Sequence, residues 1–364
     1  MKRAAEEHRF PCDACGSDLR FDPAEGVLQC DHCGNRQPIT RGFWQGGALR
    51  ERDFREALLK ISDKAELQET RYVTCTNCGA RIEMTGPDHA LECPFCATPI
   101  VADSGTFRQI RPHGLLPFAL TERQARRAMN EWLGSLWFAP SGLQRYARKG
   151  RRMRGVYVPY WTYDASTRTR YRGMRGTVHH ESRTVTRNGR RETVRVARIR
   201  WAPVSGRVAR FFDDILVLAS RTLPRRHTQA LEPWDLSALE PYNPQYLAGF
   251  AAEGYTVPLD EGFAEARAFM DRMIARDVKF DIGGDRQRIT ELDTAVSDIT
   301  FKHVLLPVWL AAYRYRGKSY RFVVNGRSGQ VQGERPWSVW KIALALLALA
   351  VVAGAIGWFA AMQQ

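Results

Sequence analysis

The chain has 364 residues, of which 44% are hydrophobic and 26% charged, and its formal net charge is +15 at pH 7. This length exceeds what one ordinary core needs, so we expect two or three folded units, and the hydrophobic content excludes an intrinsically disordered chain. The positive charge predicts a polyanionic partner, either nucleic acid or anionic lipid headgroups, and composition does not choose between them.

All eight cysteines lie in four Cys-x-x-Cys pairs within the first hundred residues. Residues 1–8 are charged and lack the apolar stretch of a secretory signal, so we expect these cysteines to stay reduced in the cytosol and to bind metal. The spacing Cys-x2-Cys-x14-Cys-x2-Cys occurs twice, as Cys12, Cys15, Cys30 and Cys33 and as Cys75, Cys78, Cys93 and Cys96. It predicts a tandem pair of zinc ribbons.

Each ribbon is predicted to hold one structural Zn²⁺, because four thiolates complete the tetrahedron and leave no position for substrate or water. Gly16, Gly34 and Gly79 follow three of the Cys-x-x-Cys pairs and permit the positive φ of a sharp turn, whereas Ala97 follows the fourth. A redox role for the pairs is the weaker alternative, because the short segments lack a thioredoxin-like βαβ context. Such ribbons bind nucleic acid or protein about equally readily.

Between the ribbons, residues Glu51 to Glu69 have apolar side chains at helical spacing and predict an amphipathic spacer helix. After Ile110 the pattern changes to alternating helices and strands. The capping box Thr121-Glu122-Arg123-Gln124 predicts a helix that runs to about Trp137.

Strands and hairpins are expected after this helix. The predicted segments are Val156 to Tyr163, a hairpin around Asn188-Gly189, Arg198 to Trp201 and Ile215 to Leu218; a second helix around Phe263 to Ile274 then precedes a strand from Val304 to Trp309. Both halves have an apolar-Pro-apolar step, a helix and a Pro-x-Trp strand. We therefore expect two units, each a helix on an antiparallel sheet, that arose by duplication.

The first of these units is strongly basic. Residues 168 to 210 contain thirteen arginines against only Glu181 and Glu192. A solvated face and an anion-binding surface remain equal alternatives, and Tyr171, Trp201 and Phe211 are the candidates for stacking on single-stranded nucleic acid.

No catalytic or cofactor-binding residue is predicted. The segment Gly317-Lys318-Ser319 lacks the first glycine of a phosphate-binding loop and reads as a hairpin turn. His179-His180-Glu181 is expected at the surface, and His303, before a buried strand, is expected to be structural. We therefore expect a protein that is not an enzyme, with an unrecognised hydrolase as the weakest alternative.

The 21 residues from Ile342 to Met362 carry no charge and are long enough to cross a bilayer core of about 30 Å. Trp337 and Trp340 before this segment, and Trp358 near its end, match the aromatic belts of membrane helices. Arg335 and Lys341 predict, by the positive-inside rule, that the preceding residues are cytoplasmic.

The predicted organisation is an α+β multidomain protein with a single-pass membrane helix. Its parts are zinc ribbon 1 (1–46), a helical spacer (47–71), zinc ribbon 2 (72–104), a basic α+β unit (105–225), a second α+β unit (226–336) and the transmembrane helix (340–362).

This order of parts resembles a bacterial family of C-terminally anchored zinc-ribbon proteins. The family is often labelled primosomal protein N' (replication factor Y), superfamily II helicase-like, or TFIIB-type zinc ribbon-containing protein. The resemblance rests on the paired ribbons and on the segments Gly155 to Trp161, Leu305 to Trp309 and Asn325 to Gly329. It implies that the helicase label reflects the ribbons alone, and it implies a role in recruiting phage-shock or SPFH-domain proteins to the membrane.

The preferred hypothesis is a non-enzymatic adaptor in the bacterial inner membrane that contacts the bilayer and recruits a protein partner. The rival hypothesis is a membrane-tethered protein that binds nucleic acid through the ribbons and the arginine-rich sheet. No small-molecule substrate is predicted.

Overall fold

The computed structural model describes residues 10–40, 49–62, 67–83, 90–96, 98–101, 104–138, 153–187, 190–315, 318–334 and 337–362. These residues form a mixed α/β structure whose helices are α1 (Phe54–Ser62), α2 (Glu122–Ser135), α3 (Arg225–Gln229), α4 (Leu259–Ile282) and α5 (Val339–Met362). The strands are β1 (Leu19–Asp22), β2 (Val27–Cys30), β3 (Arg36–Gln37), β4 (Arg52–Asp53), β5 (Leu67–Thr74), β6 (Arg81–Glu83), β7 (Ala90–Glu92), β8 (Pro99–Val101), β9 (Ser104–Ile110), β10 (Gly114–Leu115), β11 (Arg154–Arg187), β12 (Arg190–Leu218), β13 (Glu240–Pro241), β14 (Ala251–Ala252), β15 (Arg286–Tyr315), β16 (Lys318–Asn325) and β17 (Val331–Gly333).

One large sheet unites the two halves of the chain. The long strands β12, β11 and β15 are neighbours in that order, and β16 pairs with the last part of β15. The sequence predicted a separate sheet for each half, but β11 of the first half pairs with β15 of the second from Arg154 to Gly176. Each half supplies one hairpin to the shared sheet.

The centre of this sheet has a local twofold arrangement. When Pro159 is aligned with Pro307, Val158 becomes equivalent to Leu306, and these two residues are direct partners in the β11–β15 register. The β11–β12 hairpin and the β15–β16 hairpin therefore lie on either side of the Val158–Leu306 pair in equivalent positions, as a duplication predicts.

Helices α2 and α4 each pack on strands from the other half of the chain. Helix α4 lies against β11 and β12 of the first half and also against β15 of its own half, and α2 lies against β16 and β17. At the start of α4, the Trp161 indole donates to the carbonyl of Val257 at 3.0 Å and the Tyr163 hydroxyl donates to that of Leu259 at 2.6 Å. Because the helices are exchanged in this way, neither half has a complete core of its own.

Both faces of the central sheet are covered. Odd-numbered residues of β11, such as Tyr157 and Trp161, belong to cores formed with α2, α4 and the first cysteine-rich segment. Even-numbered residues, such as Val156 and Val158, pack with the second cysteine-rich segment and with Leu223, Leu231 and Trp234. The two cysteine-rich segments thus lie on opposite faces of one sheet.

The predicted helix boundaries are partly confirmed. Thr121 forms the predicted capping box with Gln124, and the helix ends at Ser135, two residues before the predicted end. The spacer helix is shorter than the predicted Glu51 to Glu69. It begins at Phe54 and ends at Ser62, and Leu67–Thr74 forms strand β5. Pairing of β5 with β6 and β9 replaces the local helical preference there.

A long arm extends from the body of the sheet. It comprises residues 166–187 of β11, 190–211 of β12 and 286–297 of β15. In the described part of the chain, only β11 and β12 continue beyond Gly176. They form the distal hairpin (residues 177–187 and 190–200), which is about 35 Å long at the usual rise per residue. Arg187 pairs with Arg190, and the predicted Asn188-Gly189 turn between them lies outside the described residues.

Candidate metal centres and interaction surfaces

The structure brings each predicted set of four cysteines together. In the first set, the sulfur of Cys12 lies 3.6 Å from that of Cys33, and the sulfur of Cys15 lies 3.5 Å from that of Cys30. In the second set, Cys75 is 3.5 Å from Cys96 and Cys78 is 3.6 Å from Cys93. In each set all four sulfurs lie within 4.8 Å of one another.

These distances fit a metal ion and do not fit disulfides. A disulfide joins its sulfurs at about 2.05 Å, whereas sulfurs bound to one tetrahedral Zn²⁺ at about 2.3 Å lie about 3.8 Å apart. Either group of four thiols could therefore hold one metal ion, in agreement with the ligand sets that the spacing predicts.

The knuckle loops explain how pairs of cysteines point at one position. Gly16, Gly34 and Gly79 have φ values of 72°, 75° and 73°, as predicted for these turns. In all four loops the amide of the first cysteine donates to the carbonyl five residues later, at 2.8 to 2.9 Å. This bond also closes the fourth loop, between Cys93 and Thr98, although Ala97 itself lies outside the described residues.

Hydrogen bonds within the clusters favour the thiolate form of some ligands. The backbone amide of Ser17 is the largest influence that lowers the pKa of Cys15, to about 6. The hydrogen bond between Cys78 and Cys93 lowers the pKa of Cys78 to about 5 and raises that of Cys93. A metal ion binds the deprotonated form of each cysteine, so metal binding would release the protons that these thiols share.

Both cysteine-rich segments are docked on the body of the protein. In the first, the ring of Phe21 lies 5.2 Å from that of Tyr246, and the Phe21 amide donates to the Ala248 carbonyl at 2.9 Å. In the second, the main chains of Ile82 and Glu253 form an isolated antiparallel β-bridge, and the Gly254 amide donates to the Arg81 carbonyl at 2.9 Å. Metal binding would therefore support the central core as well as the ribbons themselves.

Helix α5 is long and apolar enough to cross a membrane. Its segment Val339–Trp358 has a mean hydropathy of 2.4, and none of this segment is buried against the rest of the protein. Trp340 and Trp358 are 84% and 66% exposed. A buried soluble helix would show the opposite pattern, with its apolar surface covered.

The arm exposes arginines on the face that points away from α4. Arg168, Arg170 and Arg172 of β11 lie on this face. Arg170 lies opposite Arg207 of β12 on one side and opposite Asp293 of β15 on the other. The remaining charges include an ion pair at 3.5 Å between Arg172 and Glu291, so positive charge is in excess on this face.

Only one of the three candidate stacking aromatics is well exposed. Tyr171 is buried against α4 and its hydroxyl donates to Asp281. The ring of Trp201 lies 5.2 Å from the guanidinium of Arg288. Phe211 alone presents most of its side chain, 62%, to solvent.

The distal hairpin presents apolar side chains as well as arginines. Val185, Val194 and Val196 lie on one face of the hairpin and are 36%, 41% and 39% exposed. Among the described residues, β12 pairs with β11 alone, and β11 has no second partner strand beyond Gly176. Two strand edges and a strip of valines are therefore accessible at the end of the arm.

Of the histidines considered from the sequence, His179 lies on the exposed hairpin and His303 lies in the core, as predicted. His179 contacts Glu181 at 3.2 Å on the exposed hairpin, and Arg198 contacts the same carboxylate at 3.0 Å. His303 is buried, and desolvation lowers its pKa to about 4. The predicted turn at Gly317 lies outside the described residues.

Two buried polar groups had no signal in the sequence. The ammonium of Lys302 lies 2.7 Å from Asp214, 3.3 Å from Glu51 and 3.9 Å from Asp164. This network ties the start of β4 to a bulge at which Asp214 has a φ of 47°. Burial raises the pKa of Asp164 to about 6.

The second group is the buried carboxyl of Glu253. Ser220 and Thr222 donate to its Oε1 at 2.7 and 2.5 Å, and desolvation raises the pKa of Glu253 to about 7. It lines a cavity of about 30 Å³ together with Glu83, Tyr242 and His303. That volume accommodates a water molecule or two and is far too small for an ordinary substrate.

Comparison with known proteins finds similarity along most of the chain. The chain is 25% identical over 340 residues to a protein of Bacillus subtilis (strain 168) described as uncharacterized protein YdjG, and the alignment covers 92% of both chains. The similarity therefore extends well beyond the cysteine-rich segments. No family model matches the chain, and no solved structure matches it.

Proposed function

We propose that this protein is a non-enzymatic adaptor, anchored by α5 in the bacterial inner membrane with the preceding residues in the cytoplasm, that holds a protein partner on the distal hairpin. The observation that carries this proposal is the valine strip beside accessible strand edges at the end of the arm. Exposed edges bind extended segments of partner proteins through main-chain hydrogen bonds, and neighbouring side chains give specificity.

The mixture of residues on the hairpin favours a protein partner over a simple polyanion. A surface that binds only phosphate needs positive charge, whereas Val185, Val194 and Val196 offer apolar area that phosphate cannot use. Arginines of the hairpin, such as Arg183 opposite Val194, keep the edge strands from pairing indiscriminately, which is a common protection of exposed edges. Acidic side chains in the partner would complement them.

Two structural zinc ions fit this function as parts of the scaffold. Each would be held by four thiolates, which leave no coordination position for a substrate. The buried ligands Cys12 and Cys75 contribute to cores on opposite faces of the sheet that carries the arm. The ribbons would thereby stabilise the base of the arm from both sides.

The resemblance to the anchored zinc-ribbon family suggests a class of partner. SPFH-domain or phage-shock proteins act at membranes, and an adaptor held by α5 would meet them at the cytoplasmic face. The similarity to YdjG over 92% of both chains is compatible with a shared overall plan but names no partner.

A membrane-tethered nucleic-acid-binding protein is the second candidate function. The exposed row Arg168, Arg170 and Arg172 favours it, because arginine side chains bind phosphate. The scarcity of exposed aromatics counts against a stacking platform, since Tyr171 is buried and Trp201 is covered by Arg288. We therefore rank this candidate below the adaptor.

A pull-down distinguishes the two candidates. The tagged full-length protein would be captured from gently solubilised membranes, treated with nuclease and washed at high salt. A near-stoichiometric protein that survives the wash is expected, because main-chain and apolar contacts depend little on salt, whereas phosphate contacts weaken steeply. Loss of all bound protein, with nucleic acid recovered when nuclease is omitted, would favour the second candidate.

A further inference from the structure

An aromatic collar lies at the beginning of α5 and includes residues from a distant part of the chain. The collar consists of Trp137 and Phe138, which follow α2, and of Trp337 and Trp340, which lie at the start of α5. Two segments 200 residues apart in sequence thus meet where the apolar helix leaves the body.

Specific contacts hold the two segments together. The amide of Ser338 donates to the carbonyl of Phe138 at 2.8 Å, and the rings of Phe138 and Trp337 lie 6.4 Å apart. The ammonium of Lys341 donates to the carbonyl of Trp137 at 3.1 Å. Lys341 is the last charged residue before the apolar segment, so Trp137 lies level with the beginning of that segment.

The aromatic rings of the collar are largely exposed, although contact between large apolar surfaces and water is unfavourable. Trp137 is 80% exposed, Trp340 is 84% exposed and Trp337 is 55% exposed. An indole ring combines a large apolar surface with one polar N–H group, and tryptophan is for this reason enriched at the membrane–water interface. Lysine beside such rings places its ammonium among the headgroups while its stem stays in the apolar layer.

We infer that Trp137 and Phe138 lie in the interfacial layer of the membrane and form a second membrane contact beside α5. This inference rests on the proposed membrane anchoring by α5, with whose apolar surface the collar is continuous. The occupant of this surface is the lipid interface and not a protein, because Trp137 and Phe138 contact the residues at which α5 would enter the bilayer.

The contact would fix the orientation of the whole body on the membrane. Helix α2 buries Ala125, Met129 and Leu133 in the core, and its Trp132 ring lies 5.5 Å from the ring of Phe322. Since α2 is rigidly packed, anchoring its C-terminal end at the interface also positions the shared sheet. The body would then keep one orientation relative to the membrane and would not rotate freely about its connection to α5.

Depth-dependent fluorescence quenching tests the inference in the full-length protein. A small fluorescent amino acid would replace Trp137, Val352 or Leu59 in three separate variants reconstituted in lipid nanodiscs. Lipids would carry a spin label either near the headgroup or deep in the acyl chain. Val352 lies within the apolar segment of α5, and Leu59 is 70% exposed on α1 and serves as the control.

Iodide in the aqueous phase serves as a third quencher. We expect the shallow label to quench chiefly position 137 and the deep label to quench chiefly position 352. Position 59 should be quenched only by iodide. Quenching at position 137 by iodide alone, with position 352 still quenched by the deep label, would overturn the collar contact while leaving the anchor intact. If position 352 also escaped both lipid labels, the proposed anchoring would itself be wrong.

Discussion

At the residue scale, the cysteine ligands are the part of the candidate site that the sequence predicts best. Their spacing is local, and a Cys-x-x-Cys pair can reach one ion only through a tight turn, so ligand identity and turn glycines follow from the chain itself. The structure confirms that the four sulfurs of each set lie within 4.8 Å of one another. The identity of the metal as zinc stays a prediction from ligand chemistry.

Replacement of Cys12 and Cys15 by serine should reduce the metal content of the purified protein from two zinc ions per chain to one. Serine hydroxyls are poor zinc ligands, and the remaining Cys30 and Cys33 cannot complete a tetrahedron. Elemental analysis measures this directly, and Cys75→Ser with Cys78→Ser is the matched variant for the second site. Unchanged zinc content in either double variant would refute the corresponding site.

Glu253 provides a prediction about pH. Its pKa is raised by burial to about 7 from an ordinary value of 4.5, so the fold favours the protonated carboxyl. That contribution to stability is fully present below pH 4.5 and is lost as the pH rises through about 7. Glu253→Gln stays neutral at every pH, so its stability relative to the wild type should increase by about 1.4 kcal/mol between pH 6 and pH 8.

Chemical denaturation of the detergent-solubilised protein at both pH values measures this difference. Glu131→Gln, which alters an exposed carboxyl on α2, is the control. A difference between Glu253→Gln and the wild type that stays constant from pH 6 to pH 8 would contradict an ionisation cost at Glu253.

The burial and the partners of polar groups such as Glu253 and Lys302 could not be predicted from the sequence, for a physical reason. Lys302 and its three partners, Glu51, Asp164 and Asp214, come from four separate parts of the chain. No local spacing brings them together; the antiparallel register of β11 with β12 and β15 does.

At the element scale, the sequence predicts most helices and strand segments but not the way in which they combine. The Pro-x-Trp strands and the duplication are visible in the sequence, whereas the pairing of Val158 with Leu306 across the local twofold requires knowledge of strand partners. The prediction of a spacer helix was wrong from Leu67 onward, because β5 has strand partners on both sides. Non-local pairing overrides helical periodicity in such short segments.

The close approach of α4 to the sheet depends on Gly262. A Cβ atom at this position would lie 2.5 Å from the Tyr163 hydroxyl and 2.7 Å from the Trp161 ring, both of which hydrogen-bond to the start of α4. Gly262→Ala should therefore lower the free energy of unfolding by about 1–3 kcal/mol through overpacking. The exposed Ala264→Ser variant on the same helix is the control.

Thermal or chemical denaturation compares these two variants. Because alanine favours helix over glycine by about 1 kcal/mol, a steric clash has to outweigh a local gain. Greater stability in Gly262→Ala than in the wild type would contradict the tight contact between α4 and β11.

At the scale of the whole molecule, the protein combines an apolar helix, a body with two metal-binding sets on opposite faces of one sheet, and a long arm. The helix and the basic character are evident in the sequence, and so is the hairpin itself. The accessible edges of the arm follow only from the sheet order, in which β15 ends its pairing with β11 at Gly176. This arrangement suits a scaffold that presents one surface away from its base.

The most direct test of the adaptor account compares two triple variants of the distal hairpin in the membrane pull-down. One variant replaces Val185, Val194 and Val196 by threonine, which retains strand preference and removes apolar contact; the other replaces the exposed Arg183, Arg191 and Arg195 by glutamine. The amount of partner protein per captured chain is measured after nuclease treatment and a high-salt wash. We predict that the valine variant loses at least tenfold in bound partner while the arginine variant retains most of it. Full retention of partner by the valine variant, together with nucleic acid that the wild type retains without nuclease treatment and the arginine variant loses, would contradict the adaptor and identify the arm as a nucleic-acid-binding surface.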